Sequence, residues 1–175
     1  MIFNRLFTRK TDNAQVLYEA IVAAARHPVF YSKWHVPDTV NGRFDMIVLH
    51  VHLVMERLRG QGPDAEAMRQ KLVDTFFRDM DRSLREMGVG DLGVGKKVRK
   101  MSESFYGRIL AYNKAGNDQE ALVEVLKRNL FPDDATIEPT DFASWISASQ
   151  EKLLSQSLSD ILQSRFSFAS FGVGQ

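Results

Sequence analysis

Residues 88–100 read Gly-Val-Gly-Asp-Leu-Gly-Val-Gly-Lys-Lys-Val-Arg-Lys, and from Gly90 the string fits G-x-x-x-x-G-K, the first seven positions of a phosphate-binding loop. The eighth position breaks the pattern, because Lys97 stands where a Ser or Thr hydroxyl would hold magnesium. The context breaks it again. A phosphate loop leaves a buried strand and enters a helix, whereas Phe76 to Met87 reads as a charged amphipathic helix with no β-branched run. The stretch is better read as a glycine-rich connection between two helices. The histidines carry no better site. His50 and His52 lie two apart on a helical stretch, so they face nearly opposite sides and cannot share a metal; each is expected to be a core histidine with a hydrogen-bond partner. The acidic pairs, Asp79 with Asp81 and Asp133 with Asp134, have no catalytic company. Arg82 and Arg85 sit three and four residues beyond Asp79 and Asp81, the spacing of helix-surface ion pairs. No Ser-His-Asp set or carboxylate dyad is visible. The residues point away from an enzyme, a metal site and a cofactor.

The basic cluster is the strongest local signal. Lys96, Lys97, Arg99 and Lys100 place four cations in five residues at the expected start of a helix. Cations there oppose the helix macrodipole, so the cluster is either a solvated face or a contact for an anionic partner: ribosomal RNA, lipid headgroups or an acidic protein loop. A second candidate is Trp34, in the aromatic-rich stretch Pro28–Pro37 with Phe30 and Tyr31. It either closes the core beneath a loop or, with the groove beside the second and fourth predicted helices, receives a client. A third is the N-terminal segment, residues 1–11. There Ile2, Phe3, Leu6 and Phe7 fall on one side of a short helix, with Arg5, Arg9 and Lys10 toward the other. That pattern suits shallow insertion at a membrane surface, and equally suits packing on the chain's own domain.

The elements that carry these residues are helical throughout, since no segment alternates as a strand. Six helices are expected: Asp12 to Arg26; Asp38 or Thr39 to about Arg59; Pro63 to Gly88; from around Gly93–Lys96 to Ala115; Asp118 to Phe131; and Thr140 or Asp141 to about Arg165. The second is apolar nearly all round from Met46 to Met55, the mark of a central helix covered by others. The fold class is therefore all-α, one compact domain over residues 12–165. Residues 166–175, Phe-Ser-Phe-Ala-Ser-Phe-Gly-Val-Gly-Gln, are expected as a flexible tail, frayed or loosely docked.

The totals narrow the classes further. A chain of 175 residues is long enough for a sizeable core. A formal net charge of +1 supplies no general attraction to nucleic acid or anionic membrane, so a local patch would have to do so, and specific DNA binding is not expected. The absence of cysteine removes disulfide scaffolds, iron–sulfur clusters and cysteine nucleophiles. The first ten residues lack a secretory apolar core, and the longest apolar stretch covers only about half of a bilayer's hydrocarbon. A soluble, cytoplasmic protein is expected, with a peripheral place on the inner face of the cytoplasmic membrane as an option.

Four blocks, in order, carry a resemblance: Tyr31 to His50, with Trp34, Pro37, Gly42, Arg43 and Phe44; Met87 to Lys97; Phe105-Tyr106-Gly107-Arg108-Ile109-Leu110-Ala111-Tyr112; and Arg128-Asn129-Leu130-Phe131. Together they resemble the ubiquinol–cytochrome c chaperone family over roughly residues 12–131. The resemblance implies a helical, non-enzymatic assembly factor for respiratory ubiquinol:cytochrome c reductase. Mitochondrial members of that family bind newly made cytochrome b before haem loading, act with a small partner protein and associate with the ribosome near its tunnel exit. The chain has no long N-terminal targeting extension, so it looks like a bacterial-type member. The family offers no catalytic motif to carry over. The competing reading is a ribosome- or RNA-binding adaptor working through Lys96–Lys100, with a nucleotide-dependent enzyme third.

Overall fold

The computed structural model describes residues 12–171. Ile2, Phe3, Leu6 and Phe7 lie outside that range, as do the last four residues. Eight helices are present among the described residues: α1 (Asn13–Ala25), α2 (Pro28–Ser32), α3 (Val40–Leu58), α4 (Pro63–Glu86), α5 (Asp91–Ala115), α6 (Gln119–Leu130), α7 (Thr140–Ser155) and α8 (Leu158–Leu162). No strand interrupts them there. Their starts follow from side chains that accept otherwise unpaired backbone N–H groups. Asp12 accepts from Ala14, Thr39 from Gly42, Asp118 from Ala121 and Ser157 from Asp160. Each such cap stabilises its helix by about 1 kcal/mol. Pro63 opens α4 at a position where its missing N–H costs nothing.

Helix α3 is the axis. Every residue from Phe44 to Val54 is buried, and α1, α4, α5, α6 and α7 all pack against it. The charged or polar residues on this helix must then find partners inside the protein, because water does not reach them. Arg57 does so at the far end: its guanidinium donates from Nε to the Leu153 carbonyl at 2.9 Å and from an Nη to the Gln156 carbonyl at 2.9 Å. A buried cation thereby caps the C-terminus of α7, where unpaired carbonyls and the negative end of the macrodipole lie. At the other end the chain enters α3 through Gly42. A Cβ there would stand 2.0 Å from the Pro37 carbonyl oxygen, so this close backbone approach needs glycine.

Four details depart from the sequence-based expectation. The stretch after His27 is not wholly irregular: Pro28–Ser32 forms the short α2, with the His27 ring nitrogen accepting from the Val29 N–H. The sixth expected helix is two, α7 and α8, separated at Gln156–Ser157, where Ser157 has a side chain suited to start a new helix. Helix α5 begins at Asp91, so Lys96 and Lys97 sit past its first turn. The macrodipole acts mainly on the first turn, which Asp91 occupies, and the expected cost of the cations is correspondingly smaller. Finally, residues 166–171, expected as frayed or loosely docked, fold back along α7. Phe166, Phe168 and Phe171 pack on the core there.

Candidate functional site

Three groups of residues stand out: a polar cluster between α3, α5 and α6, an aromatic cradle between α2, α3 and α7, and the exposed basic start of α5.

The polar cluster joins two of the four blocks noted in the sequence, Tyr31–His50 and Phe105–Tyr112. Asp45 on α3 is buried and meets Arg108 on α5, with Nε and Oδ1 2.5 Å apart. The contact is Coulombic rather than a well-aligned hydrogen bond, since neither atom has a hydrogen-bond partner of good geometry. Burial raises the Asp45 carboxyl to about 6, and the Arg108 charge only partly offsets this. The same guanidinium lies 5.5 Å from the Phe44 ring centre, a cation–π arrangement. One turn further along α5, Tyr112 is buried beside His52, the two rings stacked with centroids 5.2 Å apart. Burial also holds the His52 imidazole well below its ordinary value, at about 4, and raises the Tyr112 phenol above its own. The charged pair locks α5 onto the central helix. A cleft of about 230 Å³ opens next to it, lined by His52, Glu56, Arg59, Tyr112, Asn113 and Leu154 among others. The cleft lies beside the second and fourth predicted helices, α3 and α5, and Trp34 is not among the residues lining it. No group of three His, Asp or Glu residues among those described is arranged to hold a metal.

The aromatic cradle is built on Phe30 of α2. Its ring is fully buried, with Trp34, His50, Phe142 and Trp145 at centroid distances of 5.5, 5.2, 5.7 and 5.1 Å. Trp34 stacks on Phe142 at 4.8 Å while remaining only half-buried. His50 Nδ1 lies 2.8 Å from the Met46 carbonyl oxygen; a carbonyl only accepts, so Nδ1 donates and Nε2 is left as an acceptor. That acceptor is buried without a partner, and burial holds the imidazole at about 4. His50 therefore points to the cradle and His52 to Tyr112, the opposite sides their spacing requires. Over the cradle lies the tail: Phe171 stacks on Trp145 at 5.7 Å and on His27 at 4.4 Å, and Phe168 meets His50 edge-on at 4.9 Å.

The basic patch is solvent-facing. Lys96, Lys97, Arg99 and Lys100 are exposed; Arg99 pairs with Glu103 at 3.3 Å, and among the described residues the three lysines have no ion-pair partner. Leu92, one turn earlier, is 99% exposed. Arg85 at the end of α4 bridges Asp81 and Asp91, fixing the turn that presents this patch. The structure does not bring the patch and Trp34 together: Trp34 packs on α7 and the tail, whereas α5 packs on α3, α4 and α6.

The profile of the ubiquinol-cytochrome C chaperone family matches residues 32–168. The chain belongs to that family. A crystal structure of the Cbp3 homolog from Brucella abortus superposes on this chain with a TM-score of 0.83, at 36% identity, covering 93% of this chain and 92% of that one. Curated relatives are proteins named ubiquinol-cytochrome-c reductase complex assembly factor 1. That of Xenopus laevis is 28% identical over 115 residues, covering 65% of this chain and 58% of that protein. That of Mus musculus is 28% identical over 116 residues, covering 66% and 39%. The chain thus spans between about two fifths and three fifths of the length of these two relatives. Within this family member, the matched span holds the Asp45–Arg108 pair, the basic patch and most of the cradle, including Trp34, His50, Trp145 and Phe168.

Sequence reasoning missed two things. Asp45 is the one acid within the buried run Phe44–Val54 of α3, and that isolation was the available signal for a buried charge needing Arg108. The alternating phenylalanines after Arg165 were the signal for a docked segment.

Proposed function

We propose that the chain is a non-enzymatic assembly chaperone for ubiquinol:cytochrome c reductase and that its client is newly made cytochrome b. The observation that carries the reading is family membership over residues 32–168, backed by a fold shared along nearly the whole length of the Cbp3 homolog. The architecture is compatible with such work. The titratable groups Asp45, His50 and His52 are buried among packed side chains of the central helix. No helix among the described residues is long and apolar enough to cross a membrane. A place on the inner face of the cytoplasmic membrane would then rest on surface contacts. Lys96, Lys97 and Lys100, with Leu92 beside them, suit an anionic surface, and Ile2, Phe3, Leu6 and Phe7 would add an apolar contact.

The test is affinity capture of a tagged chain from gently solubilised native membranes, with and without crosslinker, read by mass spectrometry. Enrichment of cytochrome b over other abundant membrane proteins is expected. Ribosomal proteins dominating with cytochrome b absent would replace the client reading by the adaptor reading, which the three unpaired lysines also favour. In that case RNA binding should weaken steeply with added salt.

A further inference from the structure

The tail makes a pattern of contacts with α7 that ordinary core packing does not need. Gln156 at the end of α7 accepts from the Ser167 N–H at 2.8 Å and donates to the Ser167 carbonyl at 2.9 Å. Two turns back, Ser149 Oγ accepts from the Ala169 N–H at 3.2 Å, and Trp145 Nε1 donates to the Ala169 carbonyl at 2.9 Å. Both backbone groups of two alternate residues are therefore satisfied by side chains of one helix. In an extended chain the N–H and C=O of one residue face the same way and those of the next face opposite. Trp145, Ser149 and Gln156 thus stand in for a neighbouring strand. Recognition of this kind reads the backbone, not the sequence, and the aromatic cradle supplies the selectivity through Phe168 and Phe171.

The resident segment also leaves the cradle incompletely satisfied. His50 Nε2 and Trp34 Nε1 are buried without hydrogen-bond partners, although their rings touch Phe168 and Phe171 respectively. An occupant with a polar group at either place would gain what the tail does not supply. Arg57 holds the end of α7 rigid from inside, so the clamp persists when the segment leaves.

We propose that α7 and the His27–Phe30–Trp34–His50 cradle form a binding groove for an extended, aromatic-bearing segment of an unfolded client polypeptide, occupied in cis by residues 166–171. The proposal deepens the chaperone reading and rests on it for the identity of the occupant as a client. Client entry displaces the tail, and the tail covers the aromatic surface when no client is present.

The experiment uses the full chain carrying Phe168→Ser with Phe171→Ser, which releases the tail without shortening it. The probe is a synthetic peptide with the sequence of residues 165–171, Arg-Phe-Ser-Phe-Ala-Ser-Phe. Binding is read by the fluorescence of Trp34 and Trp145, the only two tryptophans. A tethered tail competes at an effective concentration on the order of millimolar, so the released chain should bind the peptide at least about 10-fold more tightly than the wild type. The peptide carrying F168S and F171S should not bind. Equal affinity for both chains, or no binding by a released chain with intact helical circular dichroism, would overturn the proposal. If the released chain does not fold, hydrogen exchange on the wild type decides: the Ser167 and Ala169 amides should exchange by local opening, and exchange only through global unfolding would make the tail plain core. A wild-type dimer made by exchanged tails would assign the groove to a second copy and refute a client. Peptide binding without cytochrome b capture would refute the client reading alone; cytochrome b capture without peptide binding would refute the groove alone.

Discussion

Acid should destabilise this protein along a slope that three buried groups set, and the slope can be changed in either direction by single substitutions. His50 and His52 are held at about 4 by burial, against an ordinary 6.5. In the unfolded chain both imidazoles take up protons as the pH falls through 6.5, and in the folded chain they do not. Each therefore contributes stability above 6.5 that is lost as the pH falls toward 4, about 3 kcal/mol apiece at about 1.4 kcal/mol per pH unit. Asp45 acts the other way. Burial raises its carboxyl from 3.8 to about 6, so between those values the folded chain holds a proton that the unfolded chain has released. Its contribution is present at low pH and is lost as the pH rises through 6. Between pH 5 and 6 two histidines and one aspartate oppose, leaving a net difference of one proton and a stability that falls by about 1.4 kcal/mol per pH unit on acidification. Asp38, Glu66, Asp134 and Asp160 are held below their ordinary values by nearby donors, so their contribution falls away only at lower pH. The assay is urea unfolding at closely spaced pH values. Asp45→Asn removes the opposing group and should steepen the slope to about 2.7 kcal/mol per pH unit, whatever it does to absolute stability. His52→Gln should flatten it nearly to zero. A wild-type stability that is level or rises on acidification across this window, or an unchanged slope in Asp45→Asn, would refute the assignment.

Three further outcomes are expected. Gly42→Ala should destabilise the fold by about 2 kcal/mol or more, because the added methyl meets the Pro37 carbonyl and backbone has to move; denaturant midpoints compared with Gly107→Ala, where a Cβ meets nothing, would check it. Arg57→Met should cost about 3 kcal/mol by leaving the Leu153 and Gln156 carbonyls without their buried donor, and hydrogen exchange should rise first at the end of α7. Lys96→Glu with Lys100→Glu should change stability by no more than about 0.5 kcal/mol, since both are exposed and unpaired among the described residues. Co-sedimentation of that variant with anionic vesicles or ribosomes should fall; unchanged sedimentation would remove the patch from partner binding.

The legibility of the chain followed the range of the forces involved. Helix α3 was readable as the central element because ten consecutive residues, Met46–Met55, offer almost no polar face, and such a segment is stable only when covered on all sides. The starts of α1, α3, α4 and α6 were readable because Asp12, Thr39, Pro63 and Asp118 act on backbone groups within three residues. The opposite facing of His50 and His52 followed from helical geometry alone. Family membership, too, was carried by local blocks of sequence. What the tertiary structure decided were contacts across long chain separations. Asp45 needs Arg108 only once α5 lies on α3, and that charge pair is invisible in either block by itself. The tail looked frayed or only loosely docked because Ser and Gly favour no local structure. Its order comes from Trp145, Ser149 and Gln156, whose side chains match the backbone of residues 167 and 169 only after α7 has formed and Arg57 has fixed its end. Local propensity specified the helices; burial and hydrogen-bond satisfaction between distant segments specified the groove.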